Sequence, residues 1–491
     1  MSGALERVLL APGLDICRVT AGLWQMADQE RDGRTVDLDH LADVLVDYAE
    51  AGFDSFDMAD HYGSAEIVAG RAAVRLVDKG KAAPAILTKW VPAPGPMTPD
   101  FVRDGVQRSL DRLGLAQIDL LQLHWWDYRH PGYLDAMAEL MRLRQEGLIR
   151  HIGVTNFDTA HLRVLVKNGI EITSSQICFS LLDRRAADGM GDFCLEHGIG
   201  LLAFGTLGGG FLSHRWLGNE PPAAATITEW SKMKYRRYID AAGGWTAFQG
   251  LLEALSIIAN RHGVSIANVA TRWVLQQPAV AAVIVGARLG EGDHRADNAR
   301  LFSFELDNDD LSTINVALDV LTPIPGDCGD EYRKPPFLTA SGDLSHHLSE
   351  CLQAYSVTSS DTRPDRKHVL TGSGPERAFG YSRAVRVGER ILVSGTTATH
   401  GESEVVCPGD VEGQTIHILD KIEAAITALG GGIDDVVRTR VYMKDASRWQ
   451  EAARIHSRIF RRALPANSLL EIKDLVGDYE IEIEAEALVS G

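Results

Sequence analysis

Along roughly the first 305 residues, short apolar and β-branched runs alternate with longer stretches in which apolar residues recur three and four apart. The short runs are "CRVTAGLW", "FDSFDMA", "APAILTKW", "IDLLQLHWW", "HIGVTNF", "SSQICFS", "GLLAFGTL" and "AAVIVGA". The longer ones include "LDHLADVLVDYAEAG", "PDFVRDGVQRSLDRLG", "YLDAMAELMRLRQEG" and "MGDFCLEHG", often stopped by glycine. A compact apolar run reads as a strand and a period of 3.6 as a helix, and glycine accepts the left-handed conformation that ends one. Eight such strand–helix units predict an α/β fold, a (β/α)8 TIM barrel rather than an open sheet.

One connection stands out. Residues 206 to 245 form a longer, Gly- and Pro-richer stretch than an ordinary strand–helix loop, which predicts a segment that covers a ligand. After "LTPIPGDCGDEYRKPPF" the barrel pattern stops. Residues 1–330 therefore read as the barrel, and 331–367 as a polar linker or bridging segment with one short helix in "GDLSHHLSECLQAY". Residues 368–491 read as a smaller α+β domain. Its strands are "SRAVRVG", "RILVSGTT", "VVRTRVYMKD", "NSLLEIK" and "EIEIEAEAL", and its two helices lie in "GQTIHILDKIEAAITALGG" and "RWQEAARIHSRIFRRAL", packed on one sheet face.

Composition agrees with two cores, since the chain has 491 residues and single cores usually stop growing near about 250 to 300. A net charge of −18, with no Lys/Arg run to neutralise phosphates, argues against nucleic acid as a partner. The six cysteines, 17, 178, 194, 328, 351 and 407, lack C-x-x-C spacing. That points away from zinc and disulfide frameworks and toward a reducing, cytoplasmic setting. No leader-like segment and no run of about 18 apolar residues occurs, so neither export nor a membrane partner is expected.

In a barrel of this kind the chemistry sits at the C-terminal ends of the strands, where "DMADHY", "TKW", "LHWW" and "VTNF" fall. Asp57, Tyr62, Lys89 and His124 end three successive runs. A phenol is a poor acid at neutral pH, and a nearby ammonium such as Lys89 lowers its pKa. A buried ammonium needs a carboxylate such as Asp57. His124 can donate to a substrate oxygen and orient it. These parts suit protonation of a carbonyl oxygen while a cofactor delivers hydride to its carbon. Any one alone reads as a structural polar group; together they read as a site.

On these four residues the sequence resembles the aldo-keto reductase family over roughly residues 10 to 325. The resemblance implies that Thr155, Asn156 and Gln176 hold a nicotinamide carboxamide and that Phe204 stacks on the ring. In "VIVGARLGEGDHRADNARLF", Asp297 and Asn298 resemble adenine contacts. Arg288 and Arg295 suit a 2′-phosphate, because an Arg fork donates two hydrogen bonds, so NADPH is expected ahead of NADH. Each Arg alone reads equally as a solvated surface residue. No G-x-G-x-x-G opens an early strand–helix turn, which argues against a Rossmann site. Trp24, Trp90 and Trp125, at or near strand ends, are expected to wall the substrate pocket.

Residues from about 370 to 491, from "FGYSRAVRVGERILVSGTTATHG" to "LPANSLLEIKDLVGDYEIEIEAEAL", resemble the RidA (YjgF) family, with its chorismate-mutase-like fold. The resemblance implies a homotrimer with ligand clefts between subunits, and imine or enamine hydrolysis in deaminating members. Tyr381, Ser394, Gly395 and Glu482 match cleft positions, but Asn467 of "PANS" stands where those members carry an arginine for the ligand carboxylate. A neutral amide does not replace that bidentate cation, so loss of amino-acid-imine deamination is expected. Glu480 and Glu484 read as outward acidic residues of an alternating strand. An acidic chain without a basic cleft gives ribonuclease activity little support.

The preferred reading is an NADPH-dependent reductase of an aldehyde or ketone, with Tyr62 as general acid and no metal. The alternatives are a reductase acting on a C=N bond, suggested by the fusion, and a nucleotide-binding sensor assembled by the second domain.

Overall fold

The structure, a computed structural model, describes residues 5–30, 33–333 and 353–489. An antiparallel hairpin, β1 (Arg7–Ala11) and β2 (Leu14–Cys17), precedes the barrel. Eight parallel strands follow: β3 (Val19–Gly22), β4 (Ser55–Asp57), β5 (Ala85–Trp90), β6 (Ile118–His124), β7 (Ile149–Thr155), β8 (Ser174–Cys178), β9 (Gly200–Phe204) and β10 (Val280–Gly286). They close with β10 beside β3, giving the expected TIM barrel.

Strand alternation divides the barrel residues between two cores. Leu87, Leu120, Leu202, Ala282 and Ile284 point into the lumen, where Leu14 and Ile16 of the hairpin pack on them and close its N-terminal end. Their neighbours, among them Ile86, Leu121, Leu201 and Val283, face the surrounding helices. Those helices stop and start where their chemistry directs. In Pro99–Leu113, Thr98 accepts from the Phe101 N–H, proline occupies the first turn, and Gly114 ends the helix in the left-handed conformation.

The register raises the functional positions to one end. Asp57 pairs with Leu87 and Lys89 lies two residues on; Lys89 pairs with Gln122, and His124 again lies two on; His124 pairs with Thr155, and Thr155 with Gln176. Steps of two keep each side chain facing inward while the strands stagger toward the mouth.

The second domain carries β11 (Ser356–Ser359), β12 (Arg366–Leu370), β13 (Ala384–Val387), β14 (Arg390–Thr396), the short pair β15 (Thr399–His400) and β16 (Glu404–Val405), then β17 (Val436–Met443), β18 (Ala466–Glu471) and β19 (Ile481–Leu488). The main sheet runs β11-β12-β13-β14-β19-β17-β18. It begins at Ser356, which corrects the expectation of a linker through 367. β11 is exposed throughout and so shows no apolar alternation. At the other end, the helix Asp330–Arg333 buries Asp330, Glu331 and Tyr332 on the barrel, so the barrel unit runs past 330. Of the stretch 342–355 in which a short helix is expected, residues 342–352 lie outside the described residues and 353–355 are not helical.

Helices Val411–Ala428 and Trp449–Ile459 cover one face of this sheet. The first is buried on nearly every side, because its other flank packs on the barrel helix Thr159–Lys167. Polar contacts flank this junction: Arg163 pairs with Asp410 and Glu412, His161 with Asp158 and Asp420, and Arg458 with Asp158 and Asp327. The five described cysteines are buried and free of disulfides, and Cys351 lies outside the described residues. No described helix is long and apolar enough to cross a membrane.

Candidate active site

A cavity of about 780 Å³ opens at the C-terminal ends of the barrel strands and is lined by Asp57, Tyr62, Lys89 and His124 together. Lys89 Nζ donates to both oxygens of Asp57, at 2.9 and 2.8 Å, and to the Met58 carbonyl at 2.8 Å. Both side chains are almost fully buried. Burial pushes the Lys89 ammonium below its ordinary pKa, and the charge of Asp57 and its hydrogen bonds pull it back. The ammonium lies 5.0 Å from the centre of the Tyr62 ring. His124 stacks on Trp126 at 4.9 Å and meets the edge of Tyr332 at 5.1 Å.

The neighbouring amides are tied into this arrangement. Gln176 donates to Asp57 Oδ1 at 2.7 Å and to Gln122 at 3.2 Å, and the Thr155 hydroxyl donates to the Gln176 carbonyl. Asn156 turns the chain at the end of β7 with φ of 57°, a left-handed conformation that asparagine tolerates better than most residues. Its amide nitrogen stands 3.5 Å from His124 Nε2. Asn156 Oδ1 and Gln25 Oε1 are buried without a hydrogen-bond partner among the described residues, and both residues line the cavity. Orphan acceptors there fit a carboxamide N–H, so the residues present suit a nicotinamide.

Phe204, Arg288, Asp297 and Asn298 also line the cavity. Arg288 donates to Glu229 and Glu291, which hold its guanidinium above its usual pKa against partial burial. Asp297 accepts from Ser265 and Asn268. Arg295 lies outside the cavity lining, paired with Asp293 and set over the Tyr48 ring.

Of the three tryptophans expected as pocket walls, Trp24 lines the cavity, edge-on to Tyr62 at 4.9 Å. Trp90 and Trp125 do not. Each follows an inward-facing residue, Lys89 and His124, so alternation turns it out toward the helices. Trp90 packs on Gly105, where a Cβ would meet its indole at 2.5 Å, and Trp125 donates to the Asp127 and His130 carbonyls. The aromatic wall is completed by Trp230 and Tyr332, from the long covering segment and the Asp330–Arg333 helix. Neither was marked in the sequence; the covering segment was the available signal for Trp230.

In the second domain, Glu482 lies against Gly395, where any Cβ would strike its carboxylate. Burial and the neighbouring Glu484 raise the Glu482 pKa. Arg383, which no sequence motif singles out, donates to Tyr381, the Gly395 carbonyl and Thr396. Ser394 donates to the Ser382 carbonyl. Asn467 is elsewhere: it is exposed on the edge strand β18, bonded to Thr439, whereas Glu482 pairs with Tyr442 two strands away from it. Glu484 faces outward, as expected, and pairs with Arg440; Glu480 donates its backbone N–H to Gln414 just before β19.

Known proteins share both halves. The Aldo/keto reductase family matches residues 18–319, and the family described as Endoribonuclease L-PSP matches residues 371–489. Protein tas of Escherichia coli is 32% identical over 247 residues, covering 46% of this chain and 68% of that one. A RutC family protein of Pyrococcus abyssi is 31% identical over 119 residues, 24% of this chain and 94% of its own. The solved structure of a glycerol dehydrogenase from Gluconobacter oxydans aligns with a TM-score of 0.54 at 23% identity, covering 66% of this chain and 98% of the other, a likeness of fold.

Proposed function

The chain belongs to the Aldo/keto reductase family, an NAD(P)H-dependent oxidoreductase barrel fused to a RidA/YjgF domain, and on that premise we propose that it reduces an aldehyde or ketone to an alcohol with NADPH. The observation that carries this reading is the convergence of Asp57, Tyr62, Lys89 and His124 on one cavity that also holds the orphan acceptor of Asn156.

A reduced nicotinamide, when bound, supplies the hydride. Asn156 and Gln176 would hold its carboxamide, with Thr155 fixing Gln176 from behind, and Phe204 would offer a face to the ring. Tyr62 gives its proton to the carbonyl oxygen. Lys89, charged beside the ring, stabilises the phenolate left behind, and Asp57 keeps that charge in place against desolvation. His124 orients the oxygen, itself held between Trp126 and Tyr332. The reverse alcohol oxidation uses the same groups. The fused domain supports a C=N compound as a second substrate class, and turnover of a cyclic imine without turnover of any aldehyde would select it.

Arg288, in the cavity lining, is the residue proposed to receive the 2′-phosphate, exchanging Glu229 and Glu291 for it. Arg288→Ala is expected to weaken NADPH binding by about tenfold, the loss of one charge-assisted contact, and to leave NADH binding nearly unchanged in a fluorescence titration of the full chain. Equal effects on both would remove Arg288 from this role.

For the second domain we propose assembly without amino-acid-imine deamination. The helices cover one sheet face, while the other presents Leu392, Val437, Leu470 and Leu488 at 41 to 50% exposure. Light scattering of the full chain is expected to give three times its 53.5 kDa mass, and a monomer would refute the assembly. The separation of Asn467 from Tyr381, Gly395 and Glu482 within one chain supports a cleft completed by a neighbouring copy.

A further inference from the structure

A second ammonium lines the reductase cavity. Lys234, on the helix Trp230–Ala241, is only 4% exposed. Three rings surround its Nζ: Tyr332 at 4.6 Å, Phe204 at 5.2 Å and Tyr235 at 5.7 Å. One proton goes to the Tyr332 hydroxyl at 2.7 Å. Among the described residues no carboxylate lies within the 4 Å of an ion pair; the buried Glu331, which feels the charge of Lys234, is itself paired with Arg185. This contrasts with Lys89, whose charge is met by both oxygens of Asp57. Withdrawing an ammonium from water is costly unless it is paired, and aromatic faces return only part of that cost.

We propose that Lys234, presented by Tyr332, is an anion-binding subsite for the substrate, and that the enzyme acts on carbonyl compounds bearing a carboxylate. Tyr332 sets the position. Its ring edge meets His124, the group that receives the carbonyl oxygen, while its hydroxyl accepts from Lys234, so the two substrate contacts are separated by the width of one tyrosine side chain. A carboxylate there gains a charge-assisted hydrogen bond from a buried ammonium. The assignment rests on the reductase reading for its substrate class, but the anion site itself does not.

Two aldehydes of nearly the same shape test it: 4-carboxybenzaldehyde and its methyl ester, offered with NADPH to the full chain and to Lys234→Met, which keeps the stem and removes the charge. The expected result is a kcat/KM for the acid that falls about tenfold or more in the variant, while that for the ester changes by less than about twofold, with Lys234→Arg recovering part of the loss. An equal fall for acid and ester would overturn the proposal, because Lys234 would then only position Tyr332. A rise confined to the NADPH Kd would also overturn it, assigning the ammonium to the cofactor pyrophosphate. Benzoate binding, followed by tryptophan fluorescence, tests the site without turnover. Benzoate bound by the parent chain and lost in Lys234→Met supports the subsite even if neither aldehyde reacts, in which case only the reductase reading fails; equal binding to both chains refutes the subsite.

Discussion

Tyr62→Phe is expected to lower kcat for carbonyl reduction by about 10² to 10⁴, the usual contribution of a positioned general acid, while leaving the NADPH dissociation constant and the fold unchanged. The substitution removes one hydroxyl and keeps the ring. Trp24 still meets the ring edge at 4.9 Å and Lys89 still lies 5.0 Å from its centre. What disappears is the proton that must reach the carbonyl oxygen as its carbon accepts hydride. Single-turnover kinetics with cofactor in excess isolate that step from product release. A variant that retained the parent rate would show that the proton comes from another donor lining the cavity, such as His124.

How much of this site could be read beforehand depended on which physical signal each residue carries. Asp57, Lys89 and His124 close apolar strand runs, so their polarity stands out against the pattern and the barrel architecture supplies their common location. For Trp90 and Trp125 a place at a strand end does not say which way the side chain points; counting alternate residues from Lys89 and His124 turns both outward. Lys234 had no comparable signal. It lies in "WSKMKYRRYIDA", a helix so polar that one buried lysine is indistinguishable from its solvated neighbours. Tyr332 was lost because it follows the last recognisable barrel element, in a turn of helix that Glu331 anchors to Arg185. The edge strands β11 and β12 escaped for the opposite reason. β11 is exposed throughout and β12 buries only Val369 fully, so neither carries the alternation that marks a half-buried strand.

The all-round apolar character of Val411–Ala428 did have a meaning beyond helix formation, since it reports burial against both the sheet and the barrel. The polar groups beside that junction carry the second large effect. Arg458→Ala is expected to destabilise the protein by about 3–5 kcal/mol, the cost of breaking a buried ion pair from one side. Arg458, about a quarter exposed, donates to Asp158 at 2.6 Å and to Asp327 at 2.9 Å, and both carboxylates are shielded from water. Burial already pushes the Asp327 pKa upward despite this arginine. Without it, the charges of Asp158 and Asp327 face each other across the start of helix Thr159–Lys167.

The pH dependence of that loss follows from His161, which lies between Asp158 at 2.8 Å and Asp420 at 2.9 Å and stacks on Tyr128. Burial lowers its pKa, but the two carboxylates outweigh burial and leave it above the ordinary histidine value. Its protonation therefore stabilises the folded state fully below the unfolded pKa of about 6.5, and this contribution disappears as pH rises through the raised folded value. In Arg458→Ala, His161 is the nearest remaining counter-charge for Asp158. The deficit against the parent chain should consequently widen as pH increases from about 6, measured by urea unfolding of both proteins across that range. A deficit that stayed constant with pH would show that His161 and Arg458 act independently. No deficit at all would mean that water reaches Asp158 and Asp327 once the guanidinium is gone, and that the two domains are joined chiefly by the apolar contact between their helices.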